Sequence, residues 1–338
     1  MVVDQYIIII FYKDIGEFKI MSVSVVIPNY NGEMYLKACM ESLMEQSLKA
    51  DEIIIVDNAS TDESVKYIKN RYSNIVKLIC LEKNYGFSKA VNEGIKNSNS
   101  EFVVLLNNDT ELHKEWLLEL YNCIKDDESI FSACSKMLRF DNRNIIDDVG
   151  DEYTIFGWAR KIGDGELSDK YKESREVFSS CAGAAIYRTS IFKKIGLFDE
   201  NFFAYLEDMD ISYRARIYGY KNYYSAKAKV YHIGSATSGS RHNSFKVKLS
   251  ARNSIYLIYK NMHIIQIVVN FMFILLGILI KWLYFSVKGL GRDYISGIIE
   301  GIRTRKKINR VIVKNNLYNY INIEKMLVKN TLHLFKRG

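Results

Sequence analysis

Apolar runs of strand length recur at residues 23–27, 53–56, 76–81 and 102–106, and the stretches between them carry apolar residues at helical spacing, as in Leu36, Cys39, Met40 and Leu43. Continuous β-branched runs suit parallel strands buried on both faces, so the pattern predicts a βαβ sheet from Met21 to about Thr110. Ser60-Thr61-Asp62-Glu63 reads as a capping box opening a helix, with Val65 and Ile68 one turn apart behind it. Between about 130 and 235 the pattern is mixed, with short glycine-bounded segments, and predicts an antiparallel or irregular extension of the same domain. The apolar run at 7–11 is too brief to cross a bilayer; residues 1–20 read as a peripheral extension, with Met1 or Met21 as the start.

No formal charge falls between Lys260 and Lys281. As one helix these residues would rise about 30 Å, near the hydrocarbon thickness of a bilayer. Gln266 and Asn270 inside the stretch, and the basic bias beyond it, favour a helix lying in an anionic interface over a span, with a buried helix of a soluble core or dimer as the alternative. On a helical wheel Lys281, Lys288 and Arg292 fall within about 40° of one another, with Trp282, Tyr284 and Phe285 alongside. The chain thus divides into an extension at 1–20, an α/β domain at 21–250 and a helical, membrane-associating region at 251–338, peripheral or crossing once, on the cytoplasmic face.

Charge sharpens this division. The net charge is +8, but residues 281–338 hold 13 Lys and Arg against 3 Asp and Glu, which leaves the remainder slightly acidic. The basicity therefore belongs to the tail, where it accompanies an apolar helix and no nucleic-acid reading motif, so nucleic acid is excluded as a partner. With 48% hydrophobic residues and a single proline, Pro28, the chain is neither disordered nor strung on proline-rich linkers. Cys39, Cys80, Cys123, Cys134 and Cys181 show no metal-binding spacing and read as reduced thiols.

Candidate chemistry gathers at the predicted strand ends, where open parallel sheets bind ligands. The first strand ends in Pro28-Asn29-Tyr30-Asn31-Gly32, whose tyrosine suits stacking on a base, and the second in Asp57-Asn58, which suits a base edge or ribose hydroxyls or simply ends a strand. The fourth ends in Asn107-Asn108-Asp109, an acidic group of the kind Mg²⁺ or Mn²⁺ takes beside a diphosphate. Glu207-Asp208-Met209-Asp210 crowds carboxylates beside aromatics, which raises the proton affinity of one of them and suits a general base, or is simply a solvated helix start whose acids the N-terminal dipole favours. His232 closes an apolar run and suits either a structural role or a third partner for a metal held by Asp109.

In this order, with Asn84-Tyr85-Gly86, Asn92-Glu93-Gly94, Gly183 and Gly196-Leu197-Phe198-Asp199-Glu200, the motifs over about 21–240 resemble the family 2 glycosyltransferases, most of all their rhamnosyltransferase and galactofuranosyltransferase-like branch. The resemblance implies a GT-A fold, a mixed and mainly parallel sheet flanked by helices, and inverting transfer from a nucleotide-diphosphate sugar to a glycan or lipid-linked glycan, with Mg²⁺ or Mn²⁺ as cofactor. It places Pro28, Tyr30, Asp57 and Asn58 around the nucleoside, and Asn84 and Gly86 near the ribose and diphosphate. Asn107 and Asn108 stand with them where relatives often carry carboxylates. Asp109 is implied as metal ligand with His232, Asp208 as catalytic base, and Glu207, Gly183 and Asp210 as acceptor-binding. The alternative is a catalytically inactive, membrane-associated glycan-binding or scaffold protein of the same fold. The phosphate loop of a sugar-nucleotide pyrophosphorylase, a P-loop and a G-x-G-x-x-G motif are all missing from the sequence.

Overall fold

The computed structural model describes residues 22–234, 242–311, 313 and 316–335. The expectations for 1–20 and for Met21 lie outside the described residues.

The predicted βαβ segment forms β1 (Val23–Asn29), α1 (Glu33–Met44), β2 (Glu52–Asp57), α2 (Ser64–Tyr72), β3 (Val76–Cys80), α3 (Phe87–Lys96) and β4 (Phe102–Leu106). Val25, Val26 and Ile27 are fully buried, because helices cover both faces of the sheet. The parallel register aligns Val25 with Ile53 and with Val104, so β1, β2 and β4 end at one edge.

Beyond β4 the sheet continues through β5 (Thr110–Leu112), β6 (Ile130–Arg139), β7 (Ile146–Asp148), β10 (Arg175–Val177), β11 (Ala184–Arg188) and β12 (Lys221–His232). Its order is β10-β12-β6-β11-β4-β1-β2-β3, with β5 on β12 and β7 on β6, and β11 runs antiparallel to both β4 and β6. A separate hairpin joins β8 (Asp151–Tyr153) to β9 (Ala159–Lys161). The helices of this half are α4 (Trp116–Ile124), α5 (Thr189–Ile195) and α6 (Glu207–Ile217).

The expected capping box does not form. Helix α2 starts at Ser64, whose N–H and hydroxyl donate to Asp62, while the Ser60 hydroxyl donates to Asp57 and accepts from Asn31 N. The reason is an interlock of two loops: Asn31 Oδ1 accepts from Thr61 N, and Asp62 Oδ2 from Glu33 N, each within 2.9 Å.

The C-terminal helices are α7 (Ser244–Asn261), α8 (Ile264–Val287), α9 (Gly291–Thr304) and α10 (Leu317–Phe335). The boundary expected at 250 falls inside α7, whose buried Leu249, Asn253, Tyr256 and Leu257 form one continuous face. Residues from both sides of that boundary, among them Tyr153, Met209, Tyr213, Leu257, Ile323 and Leu327, share one apolar cluster. Helix α8 is long and apolar enough to cross a membrane. It lies against the protein along a stripe: Gln266 and Asn270 donate to the two oxygens of Glu324 on α10 at 2.9 and 2.8 Å, and Ile274 and Gly277 are buried after them. The opposite face, with Val268, Val269, Met272 and Leu276, is bare. The expected basic stripe is not one face of a helix. Gly289, at φ 74°, ends α8 just past Val287 and puts Arg292 on α9, while Lys281 turns inward.

Candidate active site

Three strand ends are tied together by one side chain, Asn29, which sequence reasoning passed over. Its amide donates to Asp57 at 2.8 Å and to Ser64 at 2.9 Å, and its oxygen accepts from Asn108 at 2.7 Å. Gly32 lies against this junction so closely that a Cβ would stand 2.0 Å from the Asn108 amide. Asp57 and Asn108 are consequently buried and engaged within the protein, leaving Pro28 and Tyr30 as the more open groups of this rim.

Asn58 carries the rim onward. Its amide donates to Asn84 Oδ1 (2.9 Å) and Gly86 O (3.1 Å), and its oxygen accepts from Tyr85 N (2.9 Å), so Asn58, Asn84 and Gly86 form one unit. Gly86 has φ 86°, and a Cβ there would meet Phe203 O at 2.5 Å; only glycine fits. The 84–86 loop is thereby locked against the segment that leads into the acidic cluster.

That segment is strained. Phe203, Tyr205 and Leu206 all have positive φ, between 65° and 68°, although none is glycine. Such residues cost roughly 1–3 kcal/mol each and persist only where their surroundings hold them. The holder is Asn253 of α7, fully buried, whose amide donates to the carbonyls of Phe202, Ala204 and Tyr205 at 2.7–2.9 Å. A polar residue on the buried face of α7 was the available signal, and spacing alone could not say what it held.

The chain emerges from this turn at Glu207 and Asp208, the first residues of α6. Asp208 is half-buried; Oδ1 accepts from Met209 N at 2.7 Å and Oδ2 from Ala182 N at 3.5 Å. Its neighbour Gly183 accepts from Asn107 N at 2.8 Å, and a Cβ on Gly183 would stand 3.0 Å from the Asn107 amide. Asp208 thus sits beside the end of β4. Burial pushes its carboxyl above the usual range against the pull of those backbone N–H groups. Burial and then Asp208 push Glu207 up strongly, and Glu207 Oε2 has no hydrogen-bond partner among the described residues.

Asp210, expected at the acceptor, is a correction. It is fully buried, and its oxygens bind Arg214 (2.9 Å), Lys260 (3.0 Å) and Asn261 (2.7 Å), which anchors α6 to α7 and leaves no face for a ligand.

Asp109 and His232 do meet: Asp109 Oδ1 lies 3.4 Å from His232 Nε2. On the far side His232 Nδ1 is 2.8 Å from Asp147 Oδ2, and Asp147 Oδ1 accepts from Lys161 at 3.0 Å. Burial opposes protonation of His232, but Asp109 and then Asp147 prevail and raise its pKa to about 9. Asp147 itself is held low, against burial, by His232 and Lys161. Asp147 and Lys161 had no signal in the sequence. Among the described residues no group of three or more His, Cys, Asp or Glu side chains forms a metal cage. The pair fits a hard cation that displaces the Nε2 proton of His232: one carboxylate and one imidazole whose other nitrogen is fixed by a carboxylate, with remaining positions open for phosphate oxygens.

The glycosyl transferase family 2 model matches residues 24–196. An O-antigen chain rhamnosyltransferase of Salmonella anatum is 27% identical over 214 residues, 62% of this chain and 66% of its own length. A low-salt glycan biosynthesis hexosyltransferase of Haloferax volcanii is 29% identical over 198 residues, 57% of this chain and 61% of its own. The chain spans less than two thirds of the length of these curated relatives. Among solved structures, residues 1–349 of S. aureus TarS in complex with UDP-GlcNAc align over 90% of this chain and 91% of that one, with TM-score 0.57 and 19% identity. GalNAc-T7 with UDP, GalNAc and Mn²⁺ aligns over 72% of this chain and 48% of its own, with TM-score 0.59 and 18% identity. The fold is a GT-A type α/β fold, a mostly parallel mixed sheet flanked by helices. The chain belongs to glycosyl transferase family 2.

Proposed function

We propose that this chain moves a hexose, rhamnose or one like it, from a dTDP or UDP donor to a glycan acceptor with inversion at the anomeric carbon. What carries the reading is the placement of Asp208 beside the β4 end that bears Asp109, on a turn held by Asn253. Pro28 and Tyr30 would flank the base, and the Asn58–Asn84–Gly86 unit the ribose and diphosphate. Asp208 would take the proton of the acceptor hydroxyl. The acceptor oxygen bonds to the anomeric carbon as the bond from that carbon to the phosphate oxygen breaks, and the electron pair leaves with the nucleoside diphosphate. Asp109 and His232 would hold a Mg²⁺ or Mn²⁺, which when bound offsets charge on the leaving diphosphate. Glu207, whose carboxyl burial pushes well above the usual range, and Gly183 would border the acceptor.

Calorimetric titration with UDP, dTDP and GDP tests the donor site. One nucleotide should bind in a Mn²⁺-dependent way, and Asp109→Ala should weaken it at least tenfold; binding of none, or binding indifferent to Asp109, would overturn the assignment.

We further place the chain at a membrane surface, on its cytoplasmic side, where its free thiols suit a reducing compartment. The bare face of α8 would lie in the interface with the basic tail toward anionic headgroups. Since α8 and α10 share the core with the α/β domain, truncation would damage the fold, and surface substitution is the cleaner test. The triple variant Val269→Glu, Met272→Glu, Leu276→Glu should no longer sediment with phosphatidylglycerol vesicles while keeping its melting temperature; undiminished sedimentation would remove α8 as the anchor.

A further inference from the structure

Asn253, which holds the strained turn before Asp208, is itself held by its neighbour. Arg252 Nε and Nη2 donate to Asn253 Oδ1 at 3.1 and 2.9 Å, and Nη2 also donates to the carbonyls of Asn201 and Phe202 at 2.9 and 3.1 Å. A guanidinium only donates and a carbonyl only accepts. Arg252 therefore draws the Asn253 oxygen toward itself and leaves the amide hydrogens for Phe202, Ala204 and Tyr205.

Helix α9 holds Arg252 in its turn. Lys248 and Arg252 of α7 flank Glu300 of α9, whose oxygens lie 3.3 Å from Lys248 Nζ and 3.6 Å from Arg252 Nη1. The Arg252 guanidinium stands 5.1 Å from the centre of the Tyr256 ring, and the Tyr256 hydroxyl meets Thr304 Oγ1 of α9 at 2.6 Å. That ring also packs edge-on against Phe202, with centroids 5.9 Å apart. Gly297 and Gly301 let the two helices come this close: a Cβ would stand 2.2 Å from the Lys248 carbonyl oxygen at the first and 2.8 Å from that of Arg252 at the second. A line of contacts thus runs from α9 through Arg252 and Asn253 to Phe203, Tyr205 and Leu206, whose positive φ persists only while their surroundings hold them. A misplacement of about 1 Å can cost on the order of 10²-fold in rate, so what holds this turn bears on the residue that follows it.

We propose that Arg252 and Glu300 are positioning residues for the base: through Asn253 they hold the 203–206 turn in the conformation that aims Asp208. The C-terminal helices then serve the chemistry itself, apart from any contact they make with lipid. The inference rests on the assignment of Asp208 as base and extends its support to α9.

The test compares the full chain with its Arg252→Ala and Glu300→Ala variants by hydrogen–deuterium exchange over residues 200–208 and by the pH profile of transfer. Both variants should exchange there at least tenfold faster than the wild type and transfer more slowly, Arg252→Ala at least tenfold. The acid limb of the profile separates positioning from a general loss of structure or charge. Asp208 is faced by Glu207 of α6, by Asp148, Asp151, Lys161 and Tyr187 of β7, β8, β9 and β11, and by Cys181. None of these groups lies on α7 or α9. Loss of a distant cation alone would move the limb up in pH, whereas a base released toward water loses the burial that raises its carboxyl. Arg252→Ala should therefore move the limb down. Unchanged exchange in both variants overturns the proposal, as does faster exchange with the wild-type rate and limb, or a limb that moves up. Glu300 is half-exposed, so Glu300→Ala carries the comparison of exchange and rate should Arg252→Ala fail to fold. Failure of the wild type to transfer from any nucleoside diphosphate sugar, with the exchange differences intact, would strike the transferase reading and leave the support of the turn standing.

Discussion

Asp208→Asn is expected to lower the transfer rate by roughly 10²- to 10⁴-fold, the usual contribution of a general base, with nucleoside diphosphate affinity unchanged. The variant is a close test because the amide keeps the shape and its oxygen can still accept from Met209 N. What it loses is the ability to take a proton. Burial already raises the Asp208 carboxyl, so the working carboxylate forms only above the ordinary range, and the acid limb of the wild-type rate profile should sit higher in pH than a free aspartate would place it. The sign for stability runs the other way. A carboxyl whose folded pKa exceeds its unfolded value costs stability as pH rises above the unfolded value, and the full cost is in place once pH exceeds the folded one. At neutral pH Asp208→Asn should therefore melt no lower than the wild type. Turnover equal to wild type would remove Asp208 from the base role.

The largest stability loss is expected from Asp210→Ala, about 3–5 kcal/mol, the range for breaking a buried ion pair from one side. Asp210 is fully buried between Arg214 and Lys260, both nearly as buried, and Lys260 also reaches Asp199 at 2.6 Å. Among the described residues, removing the central carboxylate leaves Arg214 with the carbonyls of Ile195, Gly196 and Leu197, and Lys260 with Asp199 and the face of Phe202. Urea unfolding checks this, and a loss below about 1 kcal/mol, the scale of an exposed pair, would mean that the network does not hold α6 to α7.

Much of the sheet was legible because a strand buried on both faces writes itself as an uninterrupted apolar run, as 53–56 and 102–106 do. Chemical residues at strand ends were legible for the same reason: once the strand is placed, Asp57 and Asp109 follow, and His232 closes β12. The groups that hold these residues were not. Asp147 lies 85 residues from the His232 it fixes, and Asn253 lies 48 residues beyond the nearest carbonyl it binds; no local spacing announces such a pair. Local signals also misled where tertiary contacts won. Ser60 had the right spacing for a capping box, but Asp57 and Asn31 claimed its hydroxyl. A wheel drawn through Arg292 assumed a helix that Gly289 ends, and Asp210 looked like its acidic neighbours until α7 supplied it with Lys260.

The most direct measurement of the central claim is a crystal structure of the full chain with Mn²⁺ and the nucleoside diphosphate that binds most tightly. The account predicts the base beside Pro28 and Tyr30, the ribose and diphosphate against the Asn84–Gly86 loop, and the cation between the β-phosphate and the Asp109–His232 pair, with Asp208 left facing open space for an acceptor. A nucleotide bound away from the ends of β1, β2 and β4, or one whose phosphates turn away from Asp109, would contradict it.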